Sequence, residues 1–264
     1  MTGEPLRVLV TNDDGIDSPG LWRLAGTMAE VGRVLVVAPA QEASGAGTAV
    51  TFRQELQVRE VESPLRDVRA YTVDGTPADC VIVGLRRLKE GRIGLVTSGV
   101  NLGPNLGNDV LLSGTVGAAL QGGFRGISSV ALSLDIGDGP QWDTVEAVAR
   151  LLGRRIADGT LPTGAFLNVN VPALPLAELR GIAVTTVARG GYLRLIETGD
   201  GLRERLRRET RPDLRHGQPG TDIWAVANGY VSISPLQASL GSQDHMEELR
   251  GSAPLLFAEL RGGS

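Results

Sequence analysis

Short apolar runs alternate with amphipathic segments along the first two-thirds of the chain. Four runs rich in Val, Leu or Ile have the character of buried strands: 6–11, 34–38, 95–97 and 127–134. Apolar residues at helical spacing predict helices over 19–30 and 142–156. This alternation of strand and helix signals predicts an α/β fold with a mostly parallel sheet and right-handed crossovers.

The pattern changes in the last third of the chain. Strand-like runs at 182–187 and 230–234 flank a polar stretch, residues 198–222. Its charge run, R-E-R-L-R-R-E-T-R, is typical of a solvated face or a mobile arm. We therefore expect an α/β catalytic core over 1–175 and a smaller, β-rich subdomain over 176–264. Part of the second segment could pack back onto the core.

Composition narrows the class of protein. The chain has 264 residues, 36 glycines and only 4% aromatic residues, which suits an α/β enzyme with glycine-built loops. A net charge of −4 argues against duplex nucleic acid or an anionic membrane as a partner. The single cysteine, Cys80, excludes an intrachain disulfide, and no signal peptide or membrane-spanning run is visible. We expect a cytoplasmic protein.

Two adjacent carboxylates, Asp13 and Asp14, follow the first strand-like run directly. Neighbouring carboxylates raise each other's pKa unless a cation or strong hydrogen-bond donors compensate. In an open α/β sheet, ligands bind in the crevice outside the carboxyl ends of the strands. On this motif alone, a metal-held anion site and an ordinary polar turn with a solvated aspartate pair both remain open.

Further hard oxygen donors follow two other strand-like runs. Ser44, beside Gly45, comes after the second run, and Asn101 opens a glycine-rich segment that also contains Asn105. Carboxylate, hydroxyl and amide oxygens suit Mg²⁺, Mn²⁺ or Ca²⁺ rather than a soft metal. Two carboxylates neutralise one divalent cation, so such a site would still attract an anion such as phosphate.

A small-residue helix is predicted to begin at Ser113, Gly114 and Thr115. A helix N-terminus with free N–H groups and two hydroxyls is suited to phosphate, although a plain N-cap is the commoner use of such residues. The sequence has no zinc-ligand cluster, nucleophile elbow or Walker-type loop. Attack by a metal-activated water is then the economical mechanism, with Asp13 and Asp14 as the catalytic residues.

Six motifs in order along the chain resemble those of the SurE family of survival proteins, which are nucleoside-monophosphate phosphatases. They are V-L-V-T-N-D-D-G-I-D-S-P-G-L from residue 8, S-G at 44–45, G-T-P-A-D-C at 75–80, S-G-V-N-L-G-P-N-L-G at 98–107, S-G-T-V-G-A-A at 113–119 and L-N-V-N-V-P at 167–172. A weaker similarity, T-D-I-W-A-V…G-Y-V-S-I-S-P-L, covers 221–236.

The resemblance implies a 5′(3′)-nucleotidase with a Rossmann-like core, helices on both faces of the sheet, and one divalent cation per subunit, Mg²⁺ or Mn²⁺. The metal ligands it implies are Asp13, Asp14, Ser44 and Asn101. We expect nucleoside-monophosphate binding by Gly45, Asn105, Ser113, Gly114 and Thr115. The resemblance also implies a C-terminal arm exchanged between subunits of a homodimer or homotetramer, together with a terminal helix.

One departure from the family lies beside the expected phosphate site. Leu112 stands where the family usually has Tyr, which leaves substrate preference open. Two alternatives also remain open: a hydrolase of another phosphate ester or of short polyphosphate, and a non-catalytic nucleotide-binding module. The module would keep the helix N-terminus and would not need Asp13 and Asp14.

Overall fold

A computed structural model describes residues 5–87, 91–190, 193–197, 204–208, 217–239 and 246–262. The strands in these ranges are β1 (Arg7–Thr11), β2 (Arg33–Pro39), β3 (Val58–Val61), β4 (Arg69–Val73), β5 (Leu95–Leu102), β6 (Ser128–Leu134), β7 (Phe166–Val171), β8 (Gly181–Val184), β9 (Leu193–Glu197), β10 (Glu204–Arg208) and β11 (Tyr230–Leu236). The helices are α1 (Pro19–Ala29), α2 (Pro77–Arg87), α3 (Gly114–Gly123), α4 (Trp142–Ala157), α5 (Asp222–Ala227) and α6 (Met246–Leu260).

A nine-stranded sheet forms the centre of the molecule, in the order β3-β4-β2-β1-β5-β6-β7-β11-β8. The six strands from β4 to β7 in this order run parallel to one another. Strand β3 pairs antiparallel with β4, and β11 pairs antiparallel with β7 and parallel with β8. The predicted α/β class and mostly parallel sheet are confirmed.

Helices cover both faces of this sheet because its central strands are apolar on both sides. Val8 and Val10 of β1 pack into a cluster with α1 and α4, whereas Leu9 between them packs into a cluster with α2. All three side chains are completely buried. Because successive side chains of a strand point to opposite faces of the sheet, β1 packs against helices on both faces, as strands do in other parallel α/β sheets.

The described residues of the last third contain more secondary structure than their polar character indicates. Residues 204–208 of the charge run form β10, which pairs antiparallel with β9 in a separate two-stranded sheet. The short helix α5 is a further element that the sequence patterns left unpredicted. Strands β8 and β11, which belong to the segment 176–264, join the central sheet. A subdomain boundary at residue 175 stays a prediction.

No helix in the described ranges combines the length and the hydrophobicity needed to cross a bilayer. The two histidines of the chain, His216 and His245, lie outside the described residues.

Candidate active site

The candidate residues gather at the carboxyl ends of three neighbouring strands, β2, β1 and β5. The chain order reverses here, since β2 and β4 lie on one side of β1 while β5, β6 and β7 lie on the other. Such a switch point is where open α/β sheets bind their ligands. The side-chain amide of Asn12 donates to the carbonyl of Gly15 at 2.9 Å, and Gly15 takes a φ of +94° that favours glycine.

Asp13 lies against the N-terminus of α3. The hydroxyl of Thr115 donates to Oδ1 of Asp13 at 2.6 Å, and both side chains are buried. A Cβ on Gly114 would lie only 2.8 Å from Cβ of Asp13, so a larger residue there would displace the carboxylate. The backbone carbonyl of Asp13 also accepts from the N–H of Ala43 at 2.8 Å. The aspartate pair, the Ser44 loop and the S-G-T helix start therefore meet at Asp13.

Asp14 belongs to an acidic group that includes a residue the sequence patterns did not single out. Its burial, followed by the charges of Asp13 and Glu42, raises the pKa of Asp14 to about 7. The hydroxyl of Ser44 donates to Oε1 of Glu42 at 2.8 Å, in the exposed part of the loop after β2. A cation near Asp14 would therefore meet negative charge from Asp13 in the same loop and from Glu42 in the loop after β2.

Asn101 lies at the end of β5, where pairing with β6 shifts register between Ser98 and Asn101. Its side-chain nitrogen donates to the carbonyl of Gly103 at 2.6 Å. Because the nitrogen is engaged, the amide oxygen is the end of the side chain that faces away from Gly103. No described hydrogen bond uses that oxygen, so it remains suited to a cation.

The donor set fits a hard divalent cation. Within the described ranges, no three His, Cys, Asp or Glu side chains converge on a common point, so a metal here would need neutral oxygens as well as carboxylates. Asn12, Thr11 and Ser98 each have a buried side-chain oxygen without a partner among the described residues. Thr11 and Asn12 lie at the carboxyl end of β1, and Ser98 of β5 pairs with Thr11. The amide oxygen of Asn168 in β7 is a fourth such atom. Buried oxygens of this kind can accept from a bound water or a ligand.

The N-terminus of α3 offers free hydrogen-bond donors. The hydroxyl of Ser113 accepts from the N–H of Val116 at 3.2 Å, and the carbonyl of Ser113 accepts from Gly117 at 2.9 Å. The N–H groups of Gly114 and Thr115 come before the first intrahelical bond, and none of the described residues accepts from them. Anions bind at such helix starts.

Two predicted binding residues occupy different surroundings. Gly45 is exposed with a φ of +79°, and a Cβ there would meet nothing within 4 Å, so the backbone angle and not space favours glycine. Asn105 is buried, and its side-chain nitrogen donates to Oγ of Ser133 at 2.8 Å. Its contact with substrate stays a prediction.

The N-V-N motif of β7 supports the loop that follows Asn101. Side-chain nitrogens of Asn168 and Asn170 donate to the carbonyl of Asn105 at 2.8 and 3.0 Å, and Oδ1 of Asn170 accepts from the N–H of Asn105 at 2.7 Å. Sequence reasoning assigned these two residues no role in the site. The available signal was polar residues at alternating positions on an otherwise apolar, buried strand.

Known proteins resemble this chain over most of its length. The family model described as survival protein SurE matches residues 8–194. The "5'-nucleotidase SurE" of a Dehalococcoides mccartyi strain is 44% identical over 243 residues, 90% of this chain and 91% of that protein. The "5'-nucleotidase SurE 1" of Thermus thermophilus is 41% identical over 256 residues, 93% of this chain and 97% of that protein.

The crystal structure of a SurE protein from Aquifex aeolicus has the same architecture, with a TM-score of 0.78 and 36% identity over 92% of this chain and 98% of that chain. The aspartate pair, the loops around it and the S-G-T helix start thus lie in a fold and a sequence that both match one family. This chain belongs to the SurE family.

Proposed function

We propose that this protein is a 5′-nucleotidase that hydrolyses nucleoside monophosphates to nucleoside and phosphate with the help of one divalent cation, Mg²⁺ or Mn²⁺. The observation that carries the proposal is the 2.6 Å hydrogen bond from Thr115 to Asp13. It connects the carboxylates suited to a cation with the helix start suited to phosphate. The names of the relatives, 5'-nucleotidase SurE, support the reaction class.

The cation would be held by Asp13, Asp14, Ser44 and Asn101. These residues supply carboxylate, hydroxyl and amide oxygens, which Mg²⁺ and Mn²⁺ prefer. When bound, such a cation supplies a water of lowered pKa and positive charge for the phosphoryl oxygens.

The remaining residues orient the phosphate and stabilise its charge. The N–H groups of Gly114 and Thr115 lie at the positive end of α3, where they can donate to phosphoryl oxygens. Asp14 can take up or release a proton near neutral pH, since its pKa lies at about 7 without a cation. Gly45 and Asn105 are proposed to line the substrate side of the same crevice.

Phosphate release from AMP, with EDTA and with added Mn²⁺, tests the proposal. Wild-type protein should release phosphate only with the metal present, and Asp13→Ala should lower turnover by at least about a thousandfold, because it removes both a ligand and the acceptor of Thr115. The matched control is Asp17→Ala, an exposed aspartate in the same turn, which should retain wild-type activity.

A panel of substrates decides between this function and its alternatives. Turnover of sugar phosphates or short polyphosphate well above that of AMP would favour another phosphate-ester hydrolase. AMP binding without phosphate release under any metal would favour a binding module. Equal activity of Asp13→Ala and wild type would refute the assignment of the site.

A homodimer or homotetramer is the proposed assembly. Helix α6 carries large apolar side chains with high exposure, including Leu255 at 70% and Phe257 at 57%. Exposed apolar surface of this kind is typical of contacts between protein chains. Light scattering should give two or four times the 27.7 kDa chain mass, and a monomeric mass would contradict the proposal.

A further inference from the structure

Asp79 is a buried carboxylate outside the candidate site that holds the loop carrying Ser44. It accepts from the N–H of Thr51 at 3.1 and 3.3 Å and from the N–H of Thr76 at 2.9 Å. The hydroxyl of Thr76 accepts from the N–H of Asp79 in return, which makes a capping box at the start of α2. The same hydroxyl donates to the carbonyl of Ala49 at 2.7 Å. The start of α2 therefore holds residues 49–51 through two backbone groups, the carbonyl of Ala49 and the N–H of Thr51.

The Ser44 loop has two other anchors, both within the site. Ala43 donates to the carbonyl of Asp13, and Gly47 donates to the carbonyl of Leu112 at 3.1 Å. Ser44 lies between these two points, and Asp79 holds the return of the loop. Residues 49–51 directly follow the Gly47 anchor, so loss of the Asp79 contact would loosen the chain beside that anchor and, through it, the segment that presents the Ser44 hydroxyl.

Asp222 is a second buried carboxylate with the same arrangement in another loop. Its Oδ2 accepts from the N–H of Gly107 at 2.9 Å, and its Oδ1 accepts from Ala188 at 2.9 Å and Ile223 at 2.8 Å. Gly107 lies in the loop between Asn101 and Ser113. The same loop buries Leu106 against Ile223 of α5. A residue 115 positions away thus fixes the loop that leads into the phosphate site.

We propose, on the basis of the function proposed above, that Asp79 and Asp222 are positioning residues, one for each loop of the site. Asp79 sets the loop of the metal ligand Ser44, and Asp222 sets the loop that runs from Gly103 to Ser113 beside the substrate. Both act only as acceptors from backbone N–H groups. In the described contacts, neither residue touches the proposed metal ligands or the start of α3.

Asparagine tests this role because it has nearly the same shape but replaces one acceptor oxygen with a donor. At either position, an asparagine would direct its NH₂ group at a backbone N–H. A buried donor without an acceptor weakens a contact enough to change an equilibrium by about tenfold. The loops would then spend more time away from the geometry that the site requires.

The two variants should change different measurements. Asp79→Asn should raise the dissociation constant for Mn²⁺ alone, measured by calorimetry, by about tenfold. Asp222→Asn should change it less than about twofold, because strand pairing to Ser133 holds Asn101 independently of this loop. Asp222→Asn should instead raise KM for AMP by about tenfold at saturating Mn²⁺, with kcat changed less.

The matched control is Asp143→Asn, which replaces a first-turn aspartate of α4 that is exposed and reaches neither site loop. It should leave the Mn²⁺ affinity and the KM unchanged. If either variant fails to fold, Thr76→Val removes the hydroxyl contact to Ala49, and Asn168→Ala removes a contact to the carbonyl of Asn105. These second variants should shift Mn²⁺ affinity and KM, respectively, in the same directions.

A purely structural role would lower the unfolding temperature of both variants and leave the Mn²⁺ affinity and KM of the folded enzyme unchanged. That result would overturn the proposal, as would identical changes in the two variants. If the wild type released no phosphate from AMP, the proposed function would fail, whereas the Mn²⁺ titrations would still test Asp79.

Discussion

Asp14→Asn should stabilise the metal-free protein while it removes a candidate metal ligand. In the folded protein, burial and the charges of Asp13 and Glu42 disfavour the ionised form of Asp14 and raise its pKa from 3.8 to about 7. Above about pH 7 the folded protein must carry this unfavourable charge, whereas the unfolded chain carries it in water. Asparagine has a similar shape and no charge, so the variant avoids that cost.

The expected gain in the free energy of unfolding follows from the rise in the pKa of Asp14. One pKa unit corresponds to about 1.4 kcal/mol, so the rise from 3.8 to about 7 sets an upper bound of about 4 kcal/mol. Solvent screening of this partly exposed side chain reduces the expected gain to about 2 kcal/mol. For a chain of this size, about 2 kcal/mol raises the unfolding temperature by about 4–8 °C.

The sign of the pH dependence is definite. The folded state binds more protons at Asp14 than the unfolded state between about pH 4 and pH 7, so this residue's contribution to stability falls as the pH rises through that window. The difference between variant and wild type should therefore be largest above about pH 7 and nearly absent at about pH 4.

Thermal or urea unfolding in EDTA at about pH 8 and about pH 4 measures both effects. Asp17→Asn, at an exposed position in the same turn, is the control and should change stability little. Added Mn²⁺ should stabilise the wild type and not Asp14→Asn. An Asp14→Asn protein that is no more stable than wild type at the higher pH, or equally more stable at both, would refute the reasoning.

Three further outcomes are expected. Gly114→Ala should lower phosphate release by at least about tenfold, because its Cβ would lie 2.8 Å from Cβ of Asp13, whereas Gly251→Ala, with nothing within 4 Å, should not. Thr115→Val should weaken Mn²⁺ binding in calorimetry by about tenfold, since it removes the hydrogen bond to Asp13; unchanged affinity would contradict this. Mn²⁺ binding should tighten as the pH rises to about 7, because Asp14 must ionise to bind the ion. At about pH 6 each bound ion should therefore release about one proton, which calorimetry in buffers of different ionisation enthalpy measures.

Most of the central sheet could be predicted from sequence because its strands are short, apolar and separated by strongly periodic helices. The predicted run 34–38 corresponds to β2, and 142–156 corresponds to α4 within one residue at its end. The antiparallel pair of β9 and β10 was missed because the segment containing β10, R-E-R-L-R-R, is a charge run of the kind that is typical of a solvated face. Helix α5 was missed because six residues are too few for a helical period.

The sequence by itself determined the fold class, the family and the residue types suited to a hard cation and a phosphate. These properties depend on local patterns and short motifs, which are visible without coordinates. Only the tertiary structure decided that Thr115 bonds to Asp13, that Glu42 joins the acidic turn, and that Asp79 and Asp222 hold the site loops. Each of these contacts depends on which strands are neighbours in the sheet. Gly107 and Asp222 are 115 positions apart, and no spacing pattern in the sequence indicates that they meet.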